Sequence, residues 1–161
     1  MPTVSSSMCE ILRLQKQINK SLGMFKPKKV LDFSIIQEND EWSYAERAIQ
    51  KSLFGPELLP LEKIPFSFKY SFLCHDEGCK GHKMKIVDWE TAQFYRKISK
   101  KYKDNMNLIE REMKKRWLDE LFSTNRDPYF YVGNVAKFPR SFIILGVFWP
   151  LHKKEEQLRL I

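Results

Sequence analysis

The chain has 161 residues, of which 43% are hydrophobic, 30% charged and 14% aromatic, and a formal net charge of +8. That content of core-forming side chains excludes a disordered protein, and the length fits one domain that buries a core without staples. No window approaches the roughly 18 consecutive apolar residues of a membrane span, and Met1 to Cys9 lack the basic-then-apolar order of a signal peptide.

In chain order, residues 1–8, with Ser5, Ser6 and Ser7 in a row, read as a flexible tail. From Cys9, the spacing of Ile11, Leu14, Ile18 and Leu22 predicts a helix that Gly23 ends. Lys26 to Lys29 reads as a basic linker, and Val30 to Ile36 as a strand. Ser43 and Glu46 have capping-box spacing for a second helix through Ala45, Ala48, Ile49 and Leu53, stopped by Gly55-Pro56. Pro60 and Pro65 bracket an extended connector.

Phe66, Phe68, Tyr70 and Phe72 alternate with Ser67, Lys69 and Ser71, the period of a half-buried strand. Met84 and Ile86 alternate with Lys83, Lys85 and Val87, so the two runs predict a hairpin joined by Cys74 to His82. A helix follows with Trp89, Ala92, Tyr95, Ile98 and Tyr102 on its core face and Asp88 as N-cap. Its successor repeats Met106, Ile109, Met113, Trp117 and Leu121, with i,i+4 pairs Glu110–Lys114, Glu112–Arg116 and Lys115–Asp119 outside. Tyr129 to Val132 predicts a strand broken at Gly133-Asn134, with Phe130 and Val132 on one face and Tyr129 and Tyr131 on the other. Phe142 to Trp149 predicts a central strand ended by Pro150.

The sum is an α+β fold: antiparallel strands in two hairpins, a helix pair between them, two N-terminal helices and one extra strand. Residues 9–150 form one domain, and residues 151–161 a charged tail or short helix. Neither a G-x-G-x-x-G nor a phosphate-loop pattern occurs, which excludes nucleotide binding of those types.

The sharpest motif is Cys74-x4-Cys79-x2-His82, two soft sulfurs and an imidazole on a loop that Gly78 and Gly81 let fold inward. Zinc takes four such ligands in a tetrahedron, so the spacing points to a structural zinc that staples the hairpin. The fourth ligand is open: Cys9 is the best remote choice by chemistry, and His75, Asp76 and His152 are alternatives. A polar loop with free thiols is the plain alternative, and the four-residue spacing disfavours a Cys-x-x-Cys redox pair. Three cysteines, an odd number, argue against a disulfide framework and for a reducing, cytoplasmic location.

Asp88 and Glu90 offer two carboxylates that a nuclease would use to share Mg²⁺, against a plain reading as helix cap and helix-dipole partner. No serine elbow occurs, and nothing places an oxyanion hole beside Cys79 and His82. Charge is concentrated: residues 83–116 carry 11 basic and 5 acidic side chains. Arg96, Lys97, Lys100, Lys101 and Lys103 lie away from the apolar face of their helix, as phosphate-backbone binding requires. The aromatic row from Phe66 to Phe72 and the pair Tyr129 and Tyr131 would stack bases on an open face, but a row flanked by helices packs as core.

Cys74 to Glu90, Tyr131-Val132-Gly133-Asn134, Phe138 to Pro150 and Leu61-Glu62-Lys63-Ile64-Pro65 together resemble a family of prokaryotic hypothetical proteins. Its pattern is a Cys-x4-Cys-x-Gly-His loop, an Asp-Trp-Glu, a Val-Gly-Asn turn and a Ser-Phe-x-x-x-Gly-x-Phe ending. The resemblance spans about residues 28–150 and implies no activity or cofactor; Cys9 lies outside it. The chain therefore reads as a small accessory protein that contacts DNA or RNA, with a metal-stapled hairpin. The alternatives are the Asp88/Glu90 nuclease and a structural subunit that binds another protein.

Overall fold

The computed structural model describes residues 4–38 and 64–152. The helix proposed from Ser43 to Gly55, the connector from Pro60, the Leu61-Glu62-Lys63 part of the family motif and the C-terminal segment after His152 fall outside them.

Helix α1 (Met8–Ile18) is followed by strands β1 (Leu22–Phe25), β2 (Lys29–Gln37), β3 (Phe66–Leu73) and β4 (His82–Ile86). Helices α2 (Trp89–Lys101) and α3 (Met106–Lys114) come next, α3 running on as a π-helical turn over Lys115–Glu120. Strands β5 (Tyr129–Val135) and β6 (Phe138–Phe148) complete one six-stranded sheet of order β1-β5-β6-β4-β3-β2. All neighbouring strands are antiparallel except β4 and β6, which meet in parallel at Ile86 and Ile144. The fold is α+β, as expected, with a helix pair between two strand groups.

All three helices pack on one face of the sheet. Alternation delivers Phe33, Phe68, Tyr70, Phe72, Ile86, Phe130, Val132 and Ile144 to that face, every one buried. Tyr70 stacks tilted against Phe130 at 5.0 Å between ring centres, and its hydroxyl donates to the Trp117 carbonyl at 2.6 Å. Tyr95 of α2 lies 5.7 Å from Phe68, and Ile11 of α1 packs over Gly23 of β1.

Several expectations are corrected. The first helix stops at Ile18, where Asn19 takes a left-handed φ of 54°, and Gly23 lies inside β1 instead of capping the helix. A methyl group on Gly23 would sit 2.6 Å from Ile11 Cδ1, so glycine here permits the close approach of α1. Val4 to Ser7 is no loose tail: the Ser5 N–H donates to the Met24 carbonyl at 2.7 Å, and Ser5 and Ser7 are buried. Gly133-Asn134 does not break β5, which runs through a bulge to Val135. Trp89 is 59% exposed and not core, because α2 turns Thr91, Tyr95 and Ile98 to the sheet. Of the three proposed ion pairs on α3 only Glu110–Lys114 forms; Arg116 instead meets Glu120, and Lys114 also reaches Asp32.

Candidate metal centre

The loop between β3 and β4 begins where Phe72 pairs with His82, their rings stacked 5.2 Å apart. Gly78 and Gly81 adopt φ of 77° and 95°, values that side chains resist, and so return the chain on itself. The Cys79 N–H donates to the Asp76 carbonyl at 3.2 Å, and the Cys74 N–H points at Cys79 Sγ at 3.4 Å.

The fourth group arrives from α1. Ser7 caps that helix by accepting from the Glu10 N–H at 3.0 Å, and Met8 and Ile11 sink into the core, which fixes the rotation of the helix. Cys9 and Arg13, one turn apart, then face the loop. Cys9 Sγ lies 3.3 Å from His82 Nε2, and Arg13 pairs with Asp76 at 3.9 Å.

The ligand atoms of Cys9, Cys74, Cys79 and His82 all lie within 4.8 Å of one another. A tetrahedral zinc with Zn–S of about 2.3 Å and Zn–N of about 2.0 Å sets its ligand atoms roughly 3.5–3.8 Å apart. The donor set, three sulfurs and one imidazole, matches the composition of structural zinc sites, so the cluster could hold such a metal. Cys9 is thus the remote residue that joins the motif. His75 is exposed on the loop, Asp76 is engaged with Arg13, and exposed His152 is held through its backbone N–H by the Asn125 carbonyl; none of the three is in the cluster.

Electrostatics divide the three sulfurs, favouring the protonated thiol at Cys9 and Cys74 and the thiolate at Cys79. Burial pushes the Cys9 thiol up to about 12, helped by its neighbours Cys79 and Cys74. Burial also raises Cys74, whereas the backbone N–H of Cys74 and then that of Gly81 hold Cys79 below the usual thiol range. Burial lowers His82, which keeps its imidazole neutral and available as a ligand. All three cysteines are free of disulfides.

The other residues singled out by the sequence lie elsewhere. Lys97, Lys100, Lys101 and Lys103 are exposed on or just after α2 and, among the described residues, form no ion pair. Arg96 differs, being half-buried and already partnered. Asp88 takes the N-cap position of α2, but its carboxylate makes no cap hydrogen bond and meets the Thr91 hydroxyl at 3.5 Å. With Glu90 it lines a groove against Gly146 to Pro150, and among the described residues no third metal-ligating side chain joins the two. No helix is long and apolar enough to cross a membrane among the described residues.

Compared with known proteins, residues 4–161 match a family model described as a domain of unknown function (DUF8757), and the chain belongs to that family. No curated protein and no solved structure matches it.

Proposed function

We propose that this member of a family of unknown function is a small zinc-stapled protein that contacts nucleic acid. One zinc ion, held by Cys9, Cys74, Cys79 and His82, ties α1 to the β3–β4 hairpin. The observation that carries the reading is the meeting of four soft ligand atoms from two remote segments within 4.8 Å. With all four positions filled by protein the ion is structural, since a catalytic zinc keeps one position for water or substrate. Free thiols that need protection from oxidation fit a reducing compartment such as the cytoplasm.

Cobalt substitution tests the centre. Tetrahedral Co²⁺ bound by three thiolates absorbs strongly in the visible and near ultraviolet, and Cys9→Ser is expected to weaken and shift those bands while His75→Ala leaves them unchanged. Octahedral, weakly coloured cobalt in the wild-type protein would contradict the site.

The partner is read from charge. Exposed Lys97, Lys100, Lys101 and Lys103 suit the phosphate backbone of DNA or RNA, whereas the basic residues of α3 are largely neutralised by Glu110, Glu112, Glu120 and Asp32. Reversing Lys100 and Lys101 to Glu is expected to abolish a salt-sensitive mobility shift; an unchanged shift would remove α2 as the contact.

A further inference from the structure

The two faces of the sheet are treated differently. The helices cover one, and no described helix or strand packs on the other. Register fixes which side chains the second face carries. Ile86, Ile144 and Val132 share a line on the covered face, so their neighbours Lys85, Ile143 and Tyr131 point the opposite way. Lys85 stands directly opposite Lys69 on β3, and Lys83 opposite Ser71. Tyr129, paired with Phe148, extends the aromatic side of the same face.

On this face Leu22 is 44% exposed, Val87 45% and Phe148 60%, Lys83 is exposed, and Tyr129, Tyr131, Lys69 and Lys85 are half-buried. Ser67 at the start of β3 and Gly133 of β5, beneath Leu22 and Leu145, are buried. Two like charges set opposite each other across a strand pair destabilise a sheet unless something anionic meets them. Glu38 answers Lys85 at 3.5 Å; Lys69 and Lys83 have no ion pair among the described residues.

We propose that this face, which no described helix covers, binds single-stranded nucleic acid, with Tyr131 and Tyr129 of β5 stacking bases and Lys83, Lys85 and Lys69 holding the phosphates. The identity of the partner rests on the nucleic-acid reading above; the surface does not. Aromatic rings on β5 and cations on β4 and β3, two and three strands away or about 10 and 14 Å across the sheet, reproduce the division between base stacking and backbone charge that single strands require. A duplex hides its base faces and gains nothing from Tyr131.

Fluorescence anisotropy of the full, metal-loaded chain with labelled oligothymidylate, oligouridylate and a DNA duplex tests this. Tyr131→Ala is expected to weaken the single strands about tenfold, with the duplex unchanged, and Tyr131→Phe to restore binding. Lys83→Ala combined with Lys85→Ala is expected to reduce the slope of log affinity against log salt by roughly 1.4 for a single strand. If these variants bind like wild type while Lys100→Glu with Lys101→Glu loses binding, the sheet face is overturned and α2 stands as the contact. If the wild-type protein binds none of the three probes, both are overturned. A Tyr131→Phe protein as weak as Tyr131→Ala overturns the stacking role.

Discussion

Gly23 sets how near α1 comes to the sheet, and through α1 it sets where Cys9 lies. The clash that a methyl group would create is with Ile11, which has no solvent to move into. Gly23→Ala is therefore expected to cost about 1–3 kcal/mol, read by chemical denaturation. Gly133→Ala meets Leu145 and Leu22 at 2.9 Å, but Leu22 is partly exposed and can yield, so its cost should be smaller. Asp88 offers a test through pH. Burial and the charge of Glu90 hold its carboxyl above the usual range, so folding favours its protonated form. Its contribution to stability is fully present below the carboxylate value of the unfolded chain and is lost as pH rises through the raised folded value. Asp88→Asn, which can still occupy an N-cap, should flatten that part of the pH–stability profile and leave the protein no less stable at neutral pH. A drop in neutral stability would contradict the assignment. At this scale the cluster residues Cys74, Cys79 and His82 were legible because they sit in one short loop. Cys9 could be ranked by its chemistry alone, since its approach depends on the rotation of a helix set by Ser7, Met8 and Ile11.

The β3–β4 hairpin and the α3 helix show how each element was readable and where reading stopped. Strict alternation in Phe66 to Phe72 and four-residue steps in Ile109, Met113, Trp117 and Leu121 each belong to one period, and the core uses those side chains. Strand β1 escaped because four residues, Leu22–Phe25, are too few to show a period and follow on from a helical one. The parallel contact of β4 with β6 escaped because nothing local encodes a pairing between segments nearly 60 residues apart. The π-helical turn was invisible for the same reason: it accompanies a contact made in tertiary structure, the Trp117 carbonyl accepting the Tyr70 hydroxyl. Tyr70→Phe removes that donor from a buried acceptor and is expected to cost about 1–3 kcal/mol in thermal or denaturant unfolding, with metal content unchanged. A neutral outcome would show that the carbonyl finds another partner.

For the molecule as a whole, the net charge of +8 resolves into distinct parts. The cations of α3 are mostly paired within the fold, the lysines on and just after α2 stand in solvent, and three lysines lie on the sheet face away from the described helices. Charge alone showed where the excess lay in the chain; only strand register shows that Lys69, Lys83 and Lys85 share a surface with Tyr131. The proposed zinc would tie α1 to the hairpin through Cys9 and Cys74, 65 residues apart. Because metal binding is coupled to folding, removing the ion with a strong chelator should lower the unfolding temperature and restore it on adding zinc. The most direct measurement is elemental analysis of the purified native protein combined with a thiol count. One zinc per chain, with cysteines that react only after denaturation or chelation, is the predicted result; no metal and three readily reactive thiols in the native protein would contradict it.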